Sequence, residues 1–111
     1  MNPSLKALEN QYLLLTNNLP ALIVACKDDC TLKDNLMTSY VTSRRNYWDG
    51  IKAIFHDDDP AVHALVTQMT ADQISLDATI QNLGKIAKIL AAITKAVDVG
   101  SQLLAKATKI F

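Results

Sequence analysis

Three clusters in this sequence bring together side chains able to do chemistry. His56, Asp57, Asp58, Asp59 and His63 place two imidazoles and three carboxylates close together. These are donor types that hold divalent metals, and His63 lies four residues past Asp59, one helical turn along the same face. The spacing fits no standard ligand set, however. A histidine closing one helix and acids opening the next would both complement helix dipoles, so no metal is expected. Cys26 and Cys30 stand four apart in Cys-Lys-Asp-Asp-Cys, which matches no standard zinc or thioredoxin-type motif. Two reduced, structural thiols are expected, although a turn at Asp28-Asp29 could let them pair. Arg44-Arg45-Asn46-Tyr47-Trp48 interleaves cations with aromatic rings, the ingredients of a phosphate-and-stacking surface.

That last reading competes with the charge balance and with helical periodicity. Eleven Lys and Arg offset eleven Asp and Glu, for a formal net charge of zero, so no global field draws the chain onto nucleic acid or an anionic membrane. Tyr47 and Trp48 also fall on apolar stripes at helical spacing. Core packing with flanking solvated arginines is therefore expected, and no nucleic acid. No Ser-His-Asp grouping, glycine-rich phosphate loop or paired carboxylates with a pocket can be placed. The sequence implies neither an enzyme nor a cofactor.

The elements that must position these residues are helices. Half of the 111 residues are apolar and a fifth are charged, with three glycines and three prolines, which favours a single helical domain over 1–111 with long uninterrupted segments. The first residues lack a secretory signal, and Lys85, Lys88 and Lys95 interrupt the most apolar region short of a membrane span. A cytoplasmic location is expected.

Leu5, Leu8, Tyr12, Leu15, Leu19, Leu22 and Cys26 recur at steps of three and four, one face of a first helix. A kink or short break is predicted at Pro20. Thr31-Leu32-Lys33-Asp34 resembles a capping box, predicting a second helix from Leu32 to about His56. Its apolar residues Leu36, Met37, Tyr40, Val41, Tyr47, Trp48, Ile51, Ile54 and Phe55 form two adjacent stripes. Asp59 and Pro60 then supply an N-cap and a first helical position.

Beyond Pro60, Val62, Met69, Leu76, Leu83, Leu90, Val97, Leu104 and Phe111 recur at a strict interval of seven, the repeat of a coiled-coil seam. Ile86, Ile89, Ile93, Ala96, Gly100, Leu103, Ala107 and Ile110 widen that face, while Lys88, Lys95, Gln102, Lys106 and Lys109 gather behind it as a solvated back. The register passes through Gly84 and Gly100 without a slip, and Lys85-Ile86-Ala87 offers no cap. One continuous helix of about 75 Å is expected at 1.5 Å per residue; the alternative is a hairpin at Gly84, giving four helices of similar length. Gly100, mid-face, would allow another backbone to approach.

Trp48-Asp49-Gly50 near the chain's midpoint resembles the Trp-X-Gly motif of a family of small secreted helical hairpins. Pro20, the turn at Asp57 to Pro60 and the lack of any tyrosine after Tyr47 depart from that family's pattern, and the chain is not assigned to it.

The expected fold is thus all-α: an antiparallel bundle of three to four helices with a long C-terminal helix. Such a helix would outrun its shorter neighbours, leaving apolar surface that needs covering. A non-enzymatic protein–protein interaction module follows, of adaptor, chaperone-like or toxin-neutralising type, oligomeric or bound to a protein partner. Its candidate interface is Ile86, Leu90, Ile93, Val97, Gly100, Leu104 and Phe111. The alternative is a membrane-active protein whose amphipathic C-terminal helix engages a membrane surface.

Overall fold

A computed structural model describes residues 2–109, the Leu83 side chain excepted. Two of the three prolines start helices. Pro3 opens α1 (Pro3–Ala25) and Pro60 opens α3 (Pro60–Ile80), where the missing N–H has no intrahelical partner to lose. Asn2 accepts a hydrogen bond from the Leu5 N–H at 2.7 Å, and Asp59 one from the Ala61 N–H at 2.8 Å. The Asp59 cap and the Pro60 start follow the sequence prediction. Replacing Asp59 by alanine should lower stability by about 0.5–2 kcal/mol, the usual worth of such a cap, read as a shift of the urea midpoint without change of slope.

Pro20 does not divide α1, which runs through it to Ala25. The proline forfeits one backbone bond, to the Thr16 carbonyl, and burial of Leu15 and Leu22 on either side holds the two parts to one core. Lys27, in left-handed conformation at φ 54°, turns the chain. The cap of α2 (Cys30–Ile51) is Asp29 and not Thr31: the Asp29 side chain accepts the Leu32 N–H at 3.0 Å. The helix ends at Ile51, short of His56, because the next residues extend into β1 (Ala53–Ile54).

The run from Pro60 is two helices. After Ile80 the chain leaves α geometry at Asn82, whose side chain accepts the Gly84 N–H at 3.3 Å and starts a 3₁₀ turn (Leu83–Lys85). From there α4 (Ile86–Ala105) returns antiparallel to α3. The expected long helix is corrected to a hairpin near Gly84, and α4 is no longer than its neighbours. The seven-residue repeat cannot register this turn, because Leu76 and Leu90 stand two repeats apart whether the chain between them is straight or reversed. Val62, Met69 and Leu76 from α3, and Leu90, Val97 and Leu104 from α4, are all buried. The Leu83 side chain, Ile110 and Phe111 lie outside the described residues.

Two hairpins, α1–α2 and α3–α4, pack side by side. Ser39 meets Thr94 and Asn46 meets Ser101, equal offsets in sequence, so α2 and α4 are parallel neighbours. Asn10 meets Gln73 where α1 lies beside α3. This puts α2 and α3 at opposite corners, and their connection crosses one end of the bundle. There β1 pairs antiparallel with β2 (Thr108–Lys109), Ala53 opposite Lys109 and Ile54 opposite Thr108. Strands this short carry no legible alternation and were not expected.

The core has two apolar clusters, one around Ile93, Leu22 and Leu36, the other around Leu103, Leu8 and Val62. Gln11 is buried between these lobes and donates from Nε2 to the Ala96 carbonyl at 2.9 Å. A Cβ on Gly100 would stand 2.7 Å from Gln11 Oε1 and 3.4 Å from Leu8. Gly100 thus makes room for side chains of its own bundle, not for another backbone.

Candidate functional site

Beyond Leu36, the inner face of α2 is made of small and polar residues. Leu36, Ser39, Ser43, Asn46 and Gly50 are its buried positions. Ser39 Oγ and Thr94 Oγ1 share a hydrogen bond at 3.2 Å, Asn46 Nδ2 donates to Ser101 Oγ at 3.0 Å, and Ser43 Oγ donates to the Tyr40 carbonyl at 2.7 Å. A Cβ on Gly50 would meet Leu8 at 3.1 Å and Leu5 at 3.3 Å. Small side chains let α2 seat closely against α1 and α4, and the hydrogen bonds satisfy the polar groups that this close seating buries.

With that face inward, four other apolar residues of α2 turn outward. Met37, Val41, Trp48 and Ile51 are 39%, 37%, 55% and 46% exposed, and Ile54 in β1 is also exposed. This corrects the expectation that Trp48 and its stripe pack in the core. Positions 37, 41, 44, 48 and 51 follow a 4-3-4-3 alternation, one straight line of about 21 Å along the helix. Its middle position is Arg44, which is exposed. Lys33 precedes the line by one turn, and Arg45 and Lys52 lie along one edge together with Asp34 and Asp49. Among the described residues the ion pair is Lys6–Glu9; none of these four cations is engaged in one.

An aromatic row borders the stripe. Tyr12 of α1 stacks on Tyr47 at 5.7 Å and lies 6.1 Å from Tyr40, and Tyr47 lies 5.8 Å from Trp48. Tyr47 Oη donates to Glu9 Oε2 at 3.1 Å, and Lys6 Nζ donates to Glu9 Oε1 at 3.1 Å. The Lys6 bond, then the Tyr47 bond, hold the Glu9 carboxyl below its ordinary value, and the Glu9 carboxylate in turn pushes the Tyr47 phenol up. A lowered carboxyl stabilises the fold above its unfolded value, and that contribution disappears as pH falls through the folded one. The tie between the tyrosine row and α1 therefore holds around neutral pH and weakens in acid.

The residues singled out from sequence take other places. Leu90, Ile93, Val97, Gly100 and Leu104 are buried inside the chain's own bundle, and Ile86 is half-buried against the first cluster. As folded, these six are core and not an available surface; Phe111 lies outside the described residues. The lysine back of α4 is exposed, as expected.

The acidic turn disperses into structural uses. Asp57 accepts a hydrogen bond from the buried Ser4 hydroxyl, His56 Nε2 bonds Thr108 Oγ1 at 3.0 Å, and Asp59 caps α3. Among the described residues no three His, Cys, Asp or Glu side chains gather as a metal site.

Cys26 is buried and Cys30 exposed, both free. Burial, the largest influence, pushes the Cys26 thiol up, so it stays protonated at neutral pH. Iodoacetamide on the native protein should label Cys30 alone, with Cys26 reacting only after unfolding, as peptide mass mapping would read. Cys26 lies on a cavity of about 910 Å³ at the turn end of the bundle, and a groove of about 760 Å³ follows the α3–α4 seam past Leu65 and Val99.

No known family, curated protein or solved structure matches this chain. Geometry alone therefore carries the functional reading. The feature that sequence reasoning missed is the outward stripe of α2, and a signal for it existed. Ser39, Ser43, Asn46 and Gly50 recur at the same helical period as the apolar residues, and a face of small residues can pack more closely than one of large ones.

Proposed function

We propose that this chain is a non-enzymatic protein–protein interaction module that engages its partner through the outward face of α2. The observation that carries the reading is the inverted helix: small polar residues inward, Met37, Val41, Trp48 and Ile51 outward. Fully burying such a side chain is worth about 1.5–3 kcal/mol, and with 37–55% of each residue still exposed this fold leaves a substantial part of that gain unclaimed on four aligned positions. Aligned apolar exposure with an arginine and a tryptophan is the composition of interface hot spots. An adaptor, a chaperone-like subunit or a toxin-neutralising protein of the cytoplasm would use such a face, against a different protein or as a homo-oligomer.

The membrane reading draws less support. Among the described residues no helix is long and apolar enough to cross a membrane. The apolar side of α4 is covered by the other helices, so α4 would have to leave the core to reach lipid.

The test combines light scattering with affinity capture for the wild-type chain and for a Val41→Ser, Trp48→Ala double variant. Loss of self-association or of a captured protein, with an unchanged melting curve, supports the surface. Association that is unaffected by the double variant places the interface elsewhere and overturns the reading.

A further inference from the structure

We infer that the α2 surface receives an amphipathic helix of a different protein, one that carries an Asp or Glu in the middle of its apolar seam to meet Arg44. This rests on the interaction reading above and adds the partner's chemistry. The stripe alternates by four and three over five positions of one uninterrupted helix, which is the knob spacing of a helix–helix seam. The central knob is a guanidinium that no carboxylate of this chain engages among the described residues. When Trp48 and Val41 are covered on either side of it, Arg44 loses its water and needs an anion. A carboxylate meets its forked donors in a bidentate pair.

The same residue argues against the other occupants. Two copies joined by matching their stripes, in either helix direction, bring residue 44 of one against residue 44 of the other, since it lies midway between Met37 and Ile51. The two guanidiniums would then face each other, and like charges across a seam cost affinity. A lipid surface would have to take Arg44 into the acyl boundary along with its apolar neighbours. The helix cannot roll to avoid this, because its opposite face is bonded to Thr94 and Ser101 of α4.

The probe is a displayed library of single-helix peptides, selected on the full chain. Enriched peptides are expected to carry Leu, Ile or Phe at three- and four-residue steps around a central Asp or Glu. They should lose about tenfold or more in affinity for an Arg44→Gln variant of unchanged melting temperature. Exchanging the charges, Arg44→Glu against a peptide whose acid is replaced by lysine, should restore binding. Enriched peptides that depend on Trp48 but lack the acid and ignore Arg44→Gln overturn this inference and leave the interaction surface standing. Peptides indifferent to Trp48→Ala, or a selection with no enrichment, overturn both. Trp48-dependent sedimentation with phosphatidylserine vesicles, or Trp48-dependent dimers in light scattering, would replace the helical partner by lipid or by a second copy.

Discussion

Ile93→Ala should lower the stability of the bundle by about 2–5 kcal/mol, the range for emptying a well-packed aliphatic site. Ile93 is fully buried, in one cluster with Leu15 and Leu22 of α1, Leu36 of α2, Leu76 of α3 and Ile89 of its own helix. The cluster draws side chains from all four helices, and each helix packs on more than one other, so the cavity cannot close by moving one element. A domain of this size is stabilised by about 5–15 kcal/mol in all, which places the variant near the limit of folding at ordinary temperature. Urea titration followed by circular dichroism reads the loss directly. The experiment also separates two roles for the residue. An interface isoleucine would change association and leave the midpoint in place; a core isoleucine moves the midpoint.

Trp48→Ala should do the opposite. The residue is 55% exposed and no hydrogen bond of the indole is lost, so the midpoint should move by less than about 1 kcal/mol, as for other surface sites. Binding to whatever covers α2 should weaken by about 2 kcal/mol or more, the scale of a central tryptophan anchor, or roughly thirtyfold in affinity. Calorimetric titration of wild type and variant with a selected helical peptide measures the difference, and Ile51→Ala should follow the same direction with a smaller loss. The pair Ile93 and Trp48 thus divides the apolar residues of the chain into those that hold it together and those that face outward.

Much of the bundle was legible before the structure. The face of α1 from Leu8 to Cys26, the cap and proline at Asp59-Pro60 and the buried repeat through Leu90, Val97 and Leu104 all follow from helical period and capping chemistry. What periodicity could not decide was direction. A repeat of seven is indifferent to a reversal that costs two full repeats, so only the local chemistry of Asn82, a side-chain acceptor for the Gly84 N–H, distinguishes the hairpin from a long rod. The hairpin has a functional consequence, because a rod leaves Leu90 and Leu104 to a partner while a hairpin buries them at home.

The candidate site was hidden for a related reason. Apolar stripes normally mark the inward face, and α2 carries a competing face of Ser39, Ser43, Asn46 and Gly50 whose small size permits closer packing. Which of the two turns inward depends on the surfaces of α1 and α4, above all on Thr94 and Ser101 as hydrogen-bond partners, and no single helix reveals its neighbours. In sequence, Arg44 and Trp48 read as a basic-aromatic pair whose ring belongs in the core, because nothing local shows that their common line with Met37, Val41 and Ile51 faces outward.

Trp48 is the chain's one tryptophan, so its fluorescence reports on the α2 surface alone. Acrylamide quenching of the free, dilute protein is the most direct test of the central claim. An outward-facing Trp48 predicts a native quenching constant approaching that of the urea-unfolded chain. A native tryptophan that acrylamide barely reaches, at concentrations where the chain is monomeric, would put the stripe inside the fold and contradict the account.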